Sequence, residues 1–329
     1  MLLAGDLGGT KTLMGLYGQH GDRPRPLVVR EYATLDFDSL DNIVGTFLEE
    51  TGAHKIEAVC VGVAGPVTGH VARLTNVPWL ADLSVVAERL DQCPAHLLND
   101  LEAMAYAVPV LEPDELAVLQ EGVAVPTGNA ALIAAGTGLG EALLHNVNGR
   151  FVPSSSEGGH ADFSARTPRE LALVRELATV YGRVDNERVI SGPGLVNLFR
   201  FTHDDANGGR VCASVDPHTD PAELPAAIST SGLDGRCPRC AEALEMFIEA
   251  YGAEAGNLAL RSVATAGVYI GGGIAPKILP ALESGAFLDA FCSKEPLVDL
   301  LRTLPVSIIL NPAAGLVGAA VRAASLVAP

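Results

Sequence analysis

Residues 1–12 read Met1-Leu2-Leu3-Ala4-Gly5-Asp6-Leu7-Gly8-Gly9-Thr10-Lys11-Thr12. An apolar run of strand length, broken by one aspartate, ends in a double glycine. The pattern predicts a buried strand over 1–6, a tight turn at Gly8-Gly9 and a returning strand over roughly 12–18. It is not a P-loop: Thr10 stands before Lys11 where that motif needs glycine, and the layout is strand–turn–strand, not strand–loop–helix. In a functional reading, the turn's N–H groups and the Thr10 hydroxyl face a polyphosphate, and Asp6 helps place a bound Mg²⁺ through water. In the plain reading the stretch is a hairpin that uses Gly-Gly for positive φ.

The same design recurs downstream. An apolar strand over 130–135 enters Gly136-Thr137-Gly138-Leu139-Gly140, and the apolar residues after it predict a strand over 142–145. A dinucleotide fingerprint fits poorly, because the GxGxG spacing is followed by Glu141 where a close helix–strand contact is wanted. A second phosphate-facing hairpin turn fits better. A third strand, 267–270, enters Gly271-Gly272-Gly273.

Between these turns the periodicity predicts a strand over 26–33 and a helix over 38–50, with Leu40, Ile43, Val44, Phe47 and Leu48 on one stripe. Strands follow at 56–63 and 71–74, a short helix at 82–90 and a strand at 96–98. The last ends at Asn99-Asp100-Leu101-Glu102 and gives way to a helix over 102–108, with Asp100 near its N-terminus. Helices are expected at 168–181, 193–202 and 241–264. A strand over 306–310 precedes Asn311-Pro312 and a terminal helix rich in Ala, Gly and Val. Residues 204–237, dense in Asp, Gly, Pro and Ser, read as a surface excursion.

The chain has 329 residues, 48% of them hydrophobic and 19% charged, which is ordinary for a globular protein of about two domains. No span approaches the roughly 18 apolar residues of a membrane helix. The N-terminus lacks the basic segment of a signal peptide, so a cytoplasmic location is expected. With 22 Lys and Arg against 39 Asp and Glu, the net charge is −17. That argues against nucleic acid as a partner. It also means that any nucleotide must be held locally, by backbone N–H groups, helix N-termini and a metal ion, against an unfavourable overall field. Of six cysteines, Cys60 sits in an apolar strand and reads as a buried thiol. Cys237-Pro238-Arg239-Cys240 is the one CxxC. A structural zinc site needs about four ligands, and no second CxxC or HxxxH follows, so the pair reads as ordinary thiols.

Three polar groups carry the chemistry. Asn99-Asp100 closes a strand, Ser156-Glu157-Gly158-Gly159-His160-Ala161-Asp162 occupies a loop, and Asn186-Glu187-Arg188 precedes a helix. Taken singly, Asp100 and Glu187 read as helix caps and His160 as a structural histidine. Taken together, they offer the fixed donors and acceptors that vicinal sugar hydroxyls require.

In this order, Asp-Leu-Gly-Gly-Thr, Leu-Asn-Asp-Leu-Glu-Ala, Gly-Thr-Gly-Leu-Gly, Glu-Gly-Gly-His-Ala-Asp-Phe, Glu-Arg-Val-Ile-Ser-Gly-Pro-Gly-Leu and Gly-Gly-Gly-Ile-Ala-Pro resemble the bacterial glucokinases, of the enterobacterial type, over essentially the whole chain. The resemblance implies an α/β, two-domain actin-like ATPase (ribonuclease H-like) fold with a cleft between the domains. The small domain would be 1–108 plus 313–329 and the large one 109–312, with closure on sugar binding. It implies ATP and Mg²⁺ as cofactors, glucose as substrate and a homodimer.

Asp100 would be the catalytic base, and Asn99, Asp100, Glu157, His160 and Glu187 would contact glucose. Gly5, Asp6, Leu7, Gly8, Gly9 and Thr10, with Gly136, Thr137 and Gly138, would be the phosphate turns. Gly271, Gly272 and Gly273 would meet adenosine. No protein side chain would ligate a metal directly. Lys11-Thr12 departs from the Asn-Ala-Arg of many members and is closer to the ROK sugar kinases, whose CxCGxxGC zinc motif is absent here; Lys11 is read as tuning the phosphate end. The rivals are a kinase for another hexose or an amino sugar, and a non-catalytic sugar sensor. ATP, ADP and polyphosphate all stay open as donors.

Overall fold

The computed structural model describes residues 1–53, 55–74, 77–203 and 212–327. The chain divides into two compact units, one of Met1–Glu115, Phe151–Ser155 and Asn311–Pro329, the other of Leu116–Arg150 and Ser156–Leu310.

In the first unit, Leu2–Leu7 and Lys11–Gly18 form the expected antiparallel hairpin, and Arg25–Ala33 adds an antiparallel strand to its outer edge. On the other side Ala58–Val63 joins Leu2–Leu7 in parallel, and Ala95–Asn99 joins Ala58–Val63 in parallel. The register is decisive for function. Asp6 lies opposite Gly62 and Leu7 opposite Val63, while Val63 lies opposite Asn99. The three parallel strands therefore deliver Asp6, Asn99 and the following Asp100 to one edge of the sheet.

Ala58–Val63 is buried at every position, as a parallel strand covered on both faces must be, and this explains its uninterrupted apolar sequence. One face packs on the Leu40–Thr51 helix through Leu40, Ile43, Val44 and Phe47. That helix starts where the Ser39 side chain accepts from the Asn42 N–H at 3.1 Å. The other face packs on the Ala314–Val327 helix through Leu316, Ala319, Ala320 and Ala323. The places where the chain leaves and rejoins this unit are tied together. Arg23 grips the Glu115 carboxylate with two N–H groups, at 2.6 and 2.8 Å, and Asn311 donates to the same carboxylate at 2.6 Å. The Arg23 hydrogen bonds hold the Glu115 pKa down at about 2.

The second unit repeats the arrangement. Ala130–Ala135 and Leu139–Val147 form an antiparallel hairpin, and Gly267–Gly271 and Val306–Ile309 are added in parallel on the Ala130–Ala135 side. Leu116–Gln120 then closes the edge antiparallel. The long Pro238–Ser262 helix packs over this sheet, and Gly192–Thr202 and Leu224–Leu233 pack on that helix. This hairpin turn is shorter than the 136–140 expected, because Leu139 and Gly140 already pair with Ala135 and Ala134.

The reading of 204–237 as a surface excursion is corrected over its second part; residues 204–211 lie outside the described ones. Leu224–Leu233 is a helix entered through Pro225, with Ile228 fully buried, and Cys212 and Val215 also join the core. The composition misled because Pro225 sits in the first turn, where a missing N–H is harmless.

Candidate active site

In the first unit the Gly8–Thr10 turn is held from below. The Gly8 N–H donates to the Lys11 carbonyl at 3.0 Å, and the Thr34 hydroxyl donates to the Gly8 carbonyl at 2.8 Å. The Thr34 N–H donates to the Thr10 carbonyl at 3.0 Å. The backbone oxygens are thus engaged within the protein. Lys11 pairs with Glu31 on the neighbouring strand at 3.3 Å, with both side chains exposed. In this structure its ammonium therefore serves a cross-strand pair rather than the turn.

Asp6 stands beside the turn at the sheet edge. Its pKa rises to about 6, first through burial, then through the negative charge of Asp100, with Lys11 pulling it back. The terminal helix begins against it: a Cβ on Gly315 would stand 2.9 Å from Asp6 Oδ2, so any larger residue there would push the Asp6 carboxylate aside.

The capping role expected of Asp100 falls to its neighbour. Asn99 is the N-cap of the Asp100–Ala107 helix, and its Oδ1 accepts from the Leu101 N–H at 2.9 Å while its Nδ2 donates to the Gly65 carbonyl at 3.3 Å. Asp100 is the first helical residue, and its Oδ1 also accepts from the Leu101 N–H at 2.9 Å. A carboxylate with two oxygens and about four lone-pair positions keeps capacity for a further partner.

In the second unit the Gly136-Thr137-Gly138 turn is closed by a Gly136 N–H to Gly138 carbonyl bond of 2.8 Å, and Gly192 N–H donates to the Gly136 carbonyl at 2.8 Å. Glu187 clasps this turn: its Oε2 accepts from the Leu139 N–H at 3.0 Å. A Cβ on Gly138 would stand 2.6 Å from that same oxygen, so residue 138 must be glycine for Glu187 to reach. Two loops then run side by side. Glu187 N–H donates to the Gly159 carbonyl at 2.9 Å, and Asn186 N–H to the Ala161 carbonyl at 2.9 Å. That pairing runs the loop carrying Glu157 and His160 alongside the segment carrying Glu187. His160 Nδ1 lies 3.5 Å from Asp185, and Arg183 donates to the His160 carbonyl at 2.8 Å. Glu157 and His160 are exposed, and Glu187 is half-buried.

The Gly271–Gly273 turn follows the strand parallel to Ala130–Ala135, with Ala134 opposite Gly271, so the second and third glycine turns leave neighbouring strand ends. Glu141 lies inside a strand, not at the start of a helix, which removes the dinucleotide reading.

The comparisons with known proteins point one way. A sequence model of the family described as "Glucokinase" matches residues 3–326. The glucokinase of Nostoc punctiforme is 38% identical over 346 residues, spanning 99% of both chains. That of Synechocystis is 37% identical over 345 residues, spanning 98% of this chain and 97% of its own. The chain belongs to the glucokinase family. The crystal structure of a glucokinase from an Antarctic psychrotroph superposes with a TM-score of 0.86 at 29% identity over 98% of each chain. The duplicated α/β units are those of the two-domain actin-like ATPase fold that the resemblance implied.

Two site-supporting residues of this glucokinase-family chain escape a motif reading. Thr34 anchors the first turn from a strand end 26 residues away. Tyr251, fully buried in the middle of the Pro238–Ser262 helix, places its hydroxyl beneath the second and third turns. It accepts from the Ala135 N–H at 3.1 Å and lies 3.3 Å from the Ile133 carbonyl and 3.4 Å from the Gly271 carbonyl. Only the helical stripe around Tyr251 marks it in the sequence, and that stripe says core rather than site.

Proposed function

We propose that this chain transfers the γ-phosphoryl group of ATP to the 6-hydroxyl of glucose, giving glucose 6-phosphate and ADP. The observation that carries the reading is the pair Asp6 and Asp100 at one edge of three parallel strands, beside the Gly8–Thr10 hairpin turn. Relatives that share 37–38% of their residues with this chain over its full length are glucokinases, which supports the substrate assignment.

Phosphoryl transfer asks little covalent work of a protein; positioning and charge stabilisation dominate. Asp100 would orient the attacking hydroxyl and accept its proton as the new P–O bond forms. Asn99 has a second amide N–H for a hydroxyl, and Glu157, His160 and Glu187 supply further acceptors and donors. The Gly9, Thr10, Thr137 and Gly138 amides of the two turns would take phosphate oxygens, as preorganised donors that need no rearrangement in the transition state. Gly271–Gly273 would receive the adenosine.

A Mg²⁺ ion, carried in by the nucleotide, would neutralise charge on the transferring group. The residues fit it: Asp6 and Asp100 hold two carboxylates close enough to raise one pKa, an excess of negative charge that a divalent cation offsets. Asp6 would hold that ion through water. The reading extends to a cytoplasmic homodimer at the entry to glycolysis, which rests on the family resemblance alone. The test is the position of the transferred phosphate. Phosphorus NMR of the product from glucose and MgATP should show the 6-phosphate; a 1-phosphate product would remove Asp100 from the place assigned to it.

A further inference from the structure

The two helices that brace the second unit's glycine turns meet at their far ends, and four metal-ligating atoms converge there. His203 follows the last residue of the Gly192–Thr202 helix, Cys237 is the N-cap of the Pro238–Ser262 helix, and Cys240 lies in that helix's first turn. Cys212 comes from the segment between them. His203, Cys212, Cys237 and Cys240 hold their ligand atoms within 4.8 Å of one another. Three of the four side chains are buried, with Cys240 at 0% and His203 at 1% exposure.

The separations match a tetrahedron around a single ion. Zn–S bonds of about 2.3 Å and Zn–N bonds of about 2.0–2.1 Å give edges of roughly 3.8 Å between two sulfurs and roughly 3.6 Å between sulfur and nitrogen. Here Cys212 Sγ and Cys240 Sγ are 3.7 Å apart. Cys237 Sγ lies 3.4 Å and Cys240 Sγ 3.9 Å from His203 Nε2.

The imidazole is also set for ligation. His203 Nδ1 lies 2.8 Å from the Phe199 carbonyl. A carbonyl can only accept, so Nδ1 carries the proton and Nε2 presents its lone pair to the sulfurs. Orientation of a ligating histidine by a backbone carbonyl is the usual outer arrangement of zinc sites. Three thiols and a bare imidazole nitrogen crowded together are poor hydrogen-bonding partners, and the same volume filled by apolar side chains would pack as well. The cysteines are all free thiols in this structure.

We propose that His203 Nε2 and the sulfurs of Cys212, Cys237 and Cys240 bind one Zn²⁺ in a closed, structural Cys₃His site. On binding, three thiol protons pass to solvent and four metal–ligand bonds form, leaving a centre of net charge −1 with no oxidation or reduction. Four protein ligands leave no position for water, so the ion does no chemistry on substrate. It fastens the end of one helix to the start of another. The first helix opens at Ser191, just after Glu187 and the Gly136 turn; the second carries Tyr251. The site thus stiffens the supports of the nucleotide turns from the side away from the chemistry. Its presence does not depend on which sugar or donor the enzyme uses.

The decisive experiment is metal analysis of the untagged full chain, expressed in zinc-supplemented medium and dialysed against a chelator-free buffer. About one zinc per folded chain is expected, as for a four-ligand structural site. Reconstitution of metal-stripped protein with Co²⁺ should give the tetrahedral d–d bands and the thiolate-to-cobalt charge-transfer band. Cys240→Ser and Cys237→Ser should lose the zinc and the cobalt spectrum and lower Tm, while Cys93→Ser should keep all three. Wild-type protein that is folded by circular dichroism yet holds less than about 0.1 zinc per chain, and gives no cobalt spectrum, would overturn the site. So would a Cys212–Cys240 disulfide found by mass spectrometry in freshly alkylated protein, or undiminished zinc in Cys237→Ser. These readouts need no turnover, so they stand or fall apart from the proposed kinase activity.

Discussion

At the scale of single residues, two aspartates carry the account. Asp100 is the first residue of a helix whose cap is supplied by Asn99, so replacing its carboxylate by an amide leaves the helix start intact. Asp100→Asn should therefore keep the wild-type circular dichroism and thermal melt while turnover falls by at least ~10²-fold, the lower range for a general base. Steady-state kinetics with near-normal turnover would take Asp100 out of that role.

Asp6 makes a pH prediction. Its folded pKa of about 6 lies above the ordinary aspartate value of 3.8, so the folded state binds the proton more tightly than the unfolded one. Asp6 therefore costs nothing below about pH 4 and destabilises the nucleotide-free protein progressively as pH rises through about 6. Asp6→Asn should melt with the wild type at pH 4 and above it at pH 8, by a margin of about 1–3 kcal/mol. Adding MgATP should narrow that gap, because a cation near Asp6 favours its charged form. A melt that is identical at both pH values would show that Asp6 feels neither burial nor Asp100.

At the scale of elements, much was legible. Glycine turns after apolar strands, Gly8-Gly9 and Gly136-Thr137-Gly138, announced both hairpins, and the threefold and fourfold spacing of Leu40, Ile43, Val44 and Phe47 announced the helix beneath the first sheet. These signals are local: each turn or stripe is decided by residues a few positions apart. What stayed hidden is what distant segments do to one another. Thr34 and Tyr251 support the turns, and Asp185 the loop that carries His160, from elsewhere in the chain, and each looks like an ordinary strand, loop or core residue. The Cys237-Cys240 pair looked incomplete for the same reason, since its partners His203 and Cys212 come from a helix end and an irregular segment rather than from a second short-spaced motif. Glu187 was expected at the sugar, and its observed bond to the Leu139 N–H adds a second duty that only the fold discloses.

Tyr251 turns that hidden support into a test. Its hydroxyl is the acceptor for a buried Ala135 N–H at the end of the strand that enters the second glycine turn. Tyr251→Phe removes no packing volume of consequence but leaves that donor unsatisfied, at a cost of about 1–3 kcal/mol. The expected result is a lower Tm together with a raised KM for MgATP and little change in the KM for glucose. Equal changes in both KM values would mean that the tyrosine supports the unit generally and not the nucleotide turns.

At the scale of the whole molecule, the net charge of −17 sets the conditions under which an anionic nucleotide must bind. Backbone amides can hold phosphate only at contact distance, whereas the overall field acts during approach and is screened by salt beyond a length of about 10 Å at 0.1 M. Raising ionic strength from about 0.01 to about 0.1 M should therefore increase kcat/KM for MgATP by a modest factor, the reverse of what a basic nucleotide site shows. The order of motifs along the chain was legible as a duplicated kinase plan because each glycine turn follows a strand of the same kind. Which hexose fills the site was not, since epimers differ by one hydroxyl direction and no spacing in a sequence encodes that.

The measurement that bears most directly on the central claim is sugar-dependent release of ADP from MgATP by the purified protein, run with glucose, fructose, mannose and N-acetylmannosamine in parallel. Robust turnover is expected with glucose and far less with the others. No turnover with glucose, under conditions where the folded protein is stabilised by it, would contradict transfer from MgATP and leave another phosphoryl donor or a sugar sensor in its place.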